Sequence, residues 1–345
     1  MSTHKRDGGS VNRSGPDIMT TAAMEFQKKA VFDPSLETAG RIDTHHHILP
    51  PAYAAWLDRL GVTDGGKPMP KWSLHDALDQ MEQNGSAAAI LSVSTPGMHL
   101  GDDAEAKSQA REANLYMAGL VEQRPTSFGF LASLTLPDLD GAMSEAAYAL
   151  DVLKADGVLL LASAGGRYLG DAAWDPLMAE LDRRGATILI HPSYLPGPEA
   201  PGIPGYAADF LLDTTRAAIN IAKSGCLERF PNLKIILSHA GGFVPYAAER
   251  LAYISSPDGT NAGGIARLRR FYFDTALSSS PYALPSLLSF ADPGHITYGS
   301  DWPFASRERT MFFRRQLDDF PLTLSQRQSI SHGNAARLFP RFREG

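Results

Sequence analysis

Cysteine is nearly missing from this chain. Of 345 residues only Cys226 carries a thiol, so no intramolecular disulfide framework can hold the fold. A lone thiol fits a reducing compartment, and a cytoplasmic location is the expectation. No apolar run approaches the ~18 residues needed to span a bilayer, which argues against a membrane protein. Positive charge is also in deficit. Lys and Arg number 32 against 38 Asp and Glu, a formal net charge of −6 with no basic stripe, so nucleic acid is not an expected partner. The opening MSTHKRDGGSVNRSGPDIMTT is polar and has no apolar core segment, so it does not read as a secretory signal. Residues 1–38 read as a disordered or arm-like tail, with an oligomer-stabilising arm as the alternative. The chain also lacks a GxGxxG after a strand, a P-loop and a GxSxG, which leaves nucleotide and serine-nucleophile chemistry without a foothold.

What is present is an ordinary globular composition, 43% hydrophobic and 20% charged, enough for a sizeable core. Short apolar or β-branched runs alternate with longer segments of helical period. The strand candidates are RIDTH from 41, SAAAILSV from 86, FGFLASL from 128, GVLLLA from 157, ATILIH from 186, LKIILSH from 233, RFYFDTA from 270 and HITYGSD from 295. Helical segments such as LHDALDQMEQNG and WDPLMAELDRRG lie between them, these two closed by glycine. Eight alternating units predict an α/β fold, a (β/α)8 TIM barrel over residues 39–345, with a doubly wound open sheet as the alternative. The Pro/Gly-rich HPSYLPGPEAPGIPGYAADF follows the fifth strand, which in a barrel places it as a rim or lid over the catalytic mouth.

The histidines fall at strand ends. In IDTHHHIL, His45 and His47 are two apart on a strand and face the same side, while His46 faces away and is left as a helper or packing residue. His191 ends the fifth strand, His239 the sixth and Asp301 the eighth, so all five side chains are expected at one C-terminal rim. Imidazole and carboxylate are ligands suited to Zn²⁺, with Mn²⁺ or Fe²⁺ as alternatives. Each residue alone has a plainer reading: a solvated histidine, or a helix N-cap for Asp301 before Trp302 and Pro303. Scattered structural residues have no reason to converge this way, so a metal site is the expectation. Trp302 and Phe304 could stack on an aromatic substrate or simply pack in the core. Arg216 reads as the partner of Asp213 on one helical face.

With DTHHHIL, IHP, SHAGGFVPY and YGSDWPF, the chain from about residue 40 onward resembles the metal-dependent amidohydrolase superfamily. Within it, the resemblance is to the branch of aminocarboxymuconate semialdehyde, salicylate and resorcylate decarboxylases. The stretches DGVLLLASAGGRYLGD, PGIPGYAADFLLDTTRAAIN and AGGFVPYAAERL look most like 6-methylsalicylate decarboxylase-type proteins. The resemblance implies that His45, His47, His191 and Asp301 bind one divalent ion, Zn²⁺ first and Mn²⁺ second, and that His239 is the acid/base residue. Hydrolytic members often carry a carbamylated lysine at the end of strand four. GVLLLASAGG has none, which argues for a mononuclear site. Arg250, eleven residues beyond His239, matches an arginine that in the semialdehyde decarboxylase reaches a neighbouring subunit to hold a carboxylate, so a homodimer or larger homo-oligomer is implied. That enzyme's other carboxylate-binding arginine is missing here, where GGKPMPKWSLHD offers Lys67 and Lys71, and this favours a different acid.

The implied reaction is non-oxidative decarboxylation of a small hydroxylated aromatic acid. It needs a proton on the ring carbon that bears the carboxylate, and an imidazole such as His239 is suited to supply it. The alternative is mononuclear hydrolysis of a lactone, amide or substituted heterocycle, in which His239 or Asp301 takes a proton from water. A barrel that binds a metal or ligand without turnover is the third reading.

Overall fold

The computed structural model describes residues 40–63, 68–195 and 201–343. The tail at 1–38, Lys67 and part of the Pro/Gly-rich rim segment lie outside them.

All eight expected strands are present: β1 (Arg41–His47), β2 (Ser86–Ser92), β3 (Phe128–Ser133), β4 (Gly157–Leu161), β5 (Thr187–His191), β6 (Lys234–Leu237), β7 (Tyr272–Asp274) and β8 (Ile296–Thr297). They form one parallel sheet in sequence order, with helices in the connections. This is the (β/α)8 barrel, and the doubly wound alternative falls away because the sheet curls until its ends meet. Among the described residues no regular ladder joins β8 to β1. Backbone bonds from Thr44 to the Tyr298 carbonyl (2.9 Å), from Asp301 to that of His45 (2.8 Å) and from His47 to that of Trp302 (2.6 Å) close the seam.

Local chemistry explains the punctuation. Ser73, Asp102 and Asp138 each cap a helix by accepting a backbone N–H. The helix Leu74–Asn84 ends at Gly85, whose φ of 66° lies in the left-handed region that glycine enters without a Cβ clash.

Alternation along the strands sorts the core. Val158, Leu160, Ile188 and Ile190 face the surrounding helices, while Ile90, Leu131, Leu159, Leu189 and Ile236 fill the lumen. The chain's final segment, Ala335 to Phe342, joins that lumen cluster. Following Leu189 by two residues, His191 emerges at the top of the same face. In β1 strict alternation from the lumen residue Ile42 would have pointed His46 inward. A register shift between Asp43 and His46 sends His45 and His47 there instead.

Candidate metal centre

Above the apolar lumen sits a layer of buried polar side chains. His45 and His47 come from β1 and His191 from β5. His239 lies two residues past β6, and Asp301 four past β8, so neither stands on its strand as the sequence suggested. Both adopt left-handed backbone conformations that non-glycine residues rarely take, φ 54° at His239 and 63° at Asp301. Such strain persists only where surrounding structure holds it, as it does at functional sites.

His45 Nε2 lies 2.9 Å from His47 Nε2, and each lies 3.3 Å from Asp301 Oδ1. The other Asp301 oxygen is 3.6 Å from His239 Nε2. Ligand atoms of His45, His47, His191 and Asp301 all fall within 4.8 Å of one another, the only such group among the described residues. The partners of the outer nitrogens decide what the inner ones carry. His45 Nδ1 is 2.7 Å from Asp274 Oδ2, and His191 Nδ1 is 2.9 Å from the Pro192 carbonyl. A carboxylate and a carbonyl only accept, so both rings hold a proton on Nδ1 and turn Nε2 to the centre. The Ser92 hydroxyl lies 3.0 Å from His47 Nδ1.

Electrostatics agree with this donor set. Burial alone would favour a neutral His45 ring, but Asp274 and then Asp301 lift its pKa to about 10. Burial pushes His47 down to about 4, and His191 well below the usual range. Despite its own burial, Asp301 is held ionised well below the ordinary carboxylate range by bonds from His239, His45 and His47. Near neutrality the cluster is one carboxylate and two uncharged imidazoles, with a third imidazole whose proton a cation would displace. Lone pairs that converge on one point with only that proton among them repel. A divalent cation relieves that repulsion, so the residues present fit such an ion.

The layer opens into a cavity of ≈ 530 Å³ whose lining includes His191, His239, Asp301, Phe210, Phe304 and Arg309. Phe304 meets the His47 ring edge-on at 5.5 Å. Tyr206 and Phe210, from the helix Gly205–Lys223 that follows the rim segment, form another part of the wall.

The family model described as amidohydrolase matches residues 42–341. The chain belongs to the amidohydrolase family. It is 38% identical over 314 residues to a 6-methylsalicylic acid decarboxylase of Penicillium expansum, covering 88% of this chain and 97% of that one. A solved amidohydrolase II superposes with a TM-score of 0.82 at 33% identity, covering 87% of this chain and 99% of the other. The fold is also that of a dihydroxybenzoic acid decarboxylase of Polaromonas sp. JS666 solved with manganese and 2-nitroresorcinol. That match has a TM-score of 0.72 and 22% identity over 87% of this chain and 97% of that one.

Other expected residues fall elsewhere in this amidohydrolase. Trp302 is buried beneath the Arg307 guanidinium, 5.7 Å from its ring centre, and does not line the cavity; its backbone closes the seam. Arg250 is exposed on the short helix Ala248–Ala252, away from this chain's own cavity. His46 is buried with Nδ1 3.2 Å from Asp43 Oδ2, a packing role. Arg216 donates to the Tyr168 hydroxyl at 3.4 Å, whereas Asp213 accepts from the Ser193 backbone, so the expected pair between them does not form.

Sequence reasoning passed over Ser92, Asp274 and Arg309. The first two carried a signal, because each ends a barrel strand, the same criterion that singled out His191. Arg309 carried none, being one of several arginines on an exposed helix.

Proposed function

We propose that this amidohydrolase is a metal-dependent, non-oxidative decarboxylase of a small hydroxylated aromatic acid, with 6-methylsalicylate as the first candidate. The observation that carries the reading is the meeting of a three-histidine, one-aspartate cluster with an aromatic-walled cavity. Arg309 at its edge offers a positive charge to an anionic substrate. The 38% identity to a 6-methylsalicylic acid decarboxylase supports the same choice of acid.

In this reading His45, His47, His191 and Asp301 hold one ion, Zn²⁺ first and Mn²⁺ as the alternative. When bound, the ion supplies positive charge against the phenol and carboxylate oxygens of the substrate. Phe304 and Phe210 flank the ring and exclude water. His239 Nε2 delivers a proton to the ring carbon that bears the carboxylate. The bond from that carbon to CO₂ then breaks, and its electron pair restores the aromatic ring. Asp301 Oδ2, beside His239 Nε2, orients the imidazole for that transfer. We further propose a single barrel domain, a cytoplasmic location, and a homo-oligomer in which Arg250 reaches a neighbouring copy.

The test is to incubate protein reconstituted with Zn²⁺ or Mn²⁺ with 6-methylsalicylate, 2,6-dihydroxybenzoate and a simple lactone. Release of CO₂ with the matching phenol is expected. Lactone opening with no CO₂ from either acid would replace this reading with the hydrolytic one.

A further inference from the structure

Asp274 is fully buried at the end of β7, and both of its carboxylate oxygens are engaged. Oδ2 lies 2.7 Å from His45 Nδ1. Oδ1 accepts two backbone N–H groups, those of His239 and Ala276, each at 2.9 Å. The one side chain thus touches a residue of the ligand cluster and the backbone of the residue read as the proton donor. Space for it is built in. A Cβ added at Gly299 would come within 2.8 Å of the His45 Cβ and 3.3 Å of the Asp274 Cβ, so glycine there lets the two approach.

We infer that Asp274 is a positioning residue that couples the metal ligand His45 to the acid His239. The inference rests on the metal-site reading above. Its first half is a matter of tautomers. The carboxylate accepts from His45 and so holds a proton on Nδ1, which leaves Nε2, facing His47 and Asp301, as the nitrogen that an ion would take. Its second half concerns the backbone. His239 and Ala240 stand at φ 54° and 57°, a turn unfavourable for residues with a Cβ. Asp274 Oδ1 holds the His239 N–H in that turn, which is what aims the His239 ring at Asp301.

Asp274→Asn separates this role from simple packing, because the amide has the same shape. Its oxygen can still accept the two backbone N–H groups, but its N–H₂ now faces His45 Nδ1 as a donor. The ring must move its proton to Nε2 and lose the lone pair that binds metal. Chelator competition on the zinc-loaded full chain is expected to give a dissociation constant roughly 10–100-fold weaker for the variant, with the chelator-treated proteins melting alike. Equal zinc affinity in variant and wild type would overturn the inference. Failure of the wild type itself to retain zinc would instead sink the metal-site reading. A second measurement needs no variant. In zinc-loaded wild type with ¹⁵N-labelled histidine, the His45 resonances are expected to report a protonated Nδ1. A bare or metal-bound Nδ1 would overturn the inference even if Asp274→Asn fails to fold.

Discussion

At the scale of single residues, the proposed function divides the site between side chains that hold and side chains that act. His45, His47 and Asp301 make mutual contacts at 2.9 to 3.3 Å, whereas His239 stands off at 3.6 Å from a different oxygen of Asp301. A residue that is not needed to assemble the cluster can be removed without emptying it. His239→Ala is therefore expected to keep stoichiometric metal and lose turnover by about 10²–10⁴-fold. His191→Ala is expected to lose both. Metal content by elemental analysis beside CO₂ release checks the pair, and a His239 variant with near-wild-type rate would remove it from the mechanism. Arg309 should behave differently again. It touches the cavity from the edge, and its guanidinium, 5.6 Å from the Phe313 ring centre, has no carboxylate partner among the described residues. Arg309→Ala is expected to raise KM for the aromatic acid with little change in kcat. An unchanged KM would place the anion-binding charge elsewhere.

At the scale of elements, strands and glycine-closed helix ends were legible because each is decided within a few neighbours. Gly85 closes its helix whatever else the chain does. The lengths of the last strands were not legible. RFYFDTA and HITYGSD read as full strands, yet the ladder pairs only three residues in β7 and two in β8. Beyond them the backbone bonds to β1 and to Ile330, partners far away in sequence. The expected inward turn of His45 and His47 is observed, but the structure reaches it through a register shift that no local pattern announces. Surface networks between helices are of the same long-range kind. Glu180 accepts from Arg183 on its own helix, Asp175–Arg183, and from Arg184 just beyond it, and Arg184 also reaches Asp151 on the helix Leu139–Asp151. Hydrogen bonds from Arg183 and then Arg184 pull the Glu180 pKa down to about 2. An unfolded glutamate titrates near ~4.3, so the depressed folded value stabilises the fold above that pH, and the benefit fades as pH falls toward 2. Glu180→Gln is expected to lower stability at pH 7 by at most about 1 kcal/mol, since the pair is partly solvated. Urea midpoints of wild type and variant should converge as the pH drops from 5 to 3. A gap that persists or widens on acidification would contradict the assignment.

At the scale of the whole molecule, the cluster sits on the weakest join of the barrel. The seven other neighbouring pairs of strands are linked by parallel ladders, but β8 meets β1 through a few bonds made largely by the segment Tyr298–Trp302. Asp301 belongs to that segment, His45 and His47 to β1, and His191 to β5 on the far side of the lumen. A bound ion would therefore tie together the two ends of the sheet and brace them against its middle. A ligand that binds only the folded state stabilises it by RT ln(1 + [L]/Kd), on the order of 3–4 kcal/mol at 100 to 1,000 times Kd. Chelation should lower the melting temperature accordingly, and restoring Zn²⁺ should recover it. The location of the change is the sharper test. Amide exchange is expected to quicken on metal removal chiefly at residues 41–47 and 298–302, with β3 and β4 little affected, because those strands neither donate ligands nor border the seam. Loss of protection spread evenly around the barrel would mean that the ion stabilises the fold without holding its ends together.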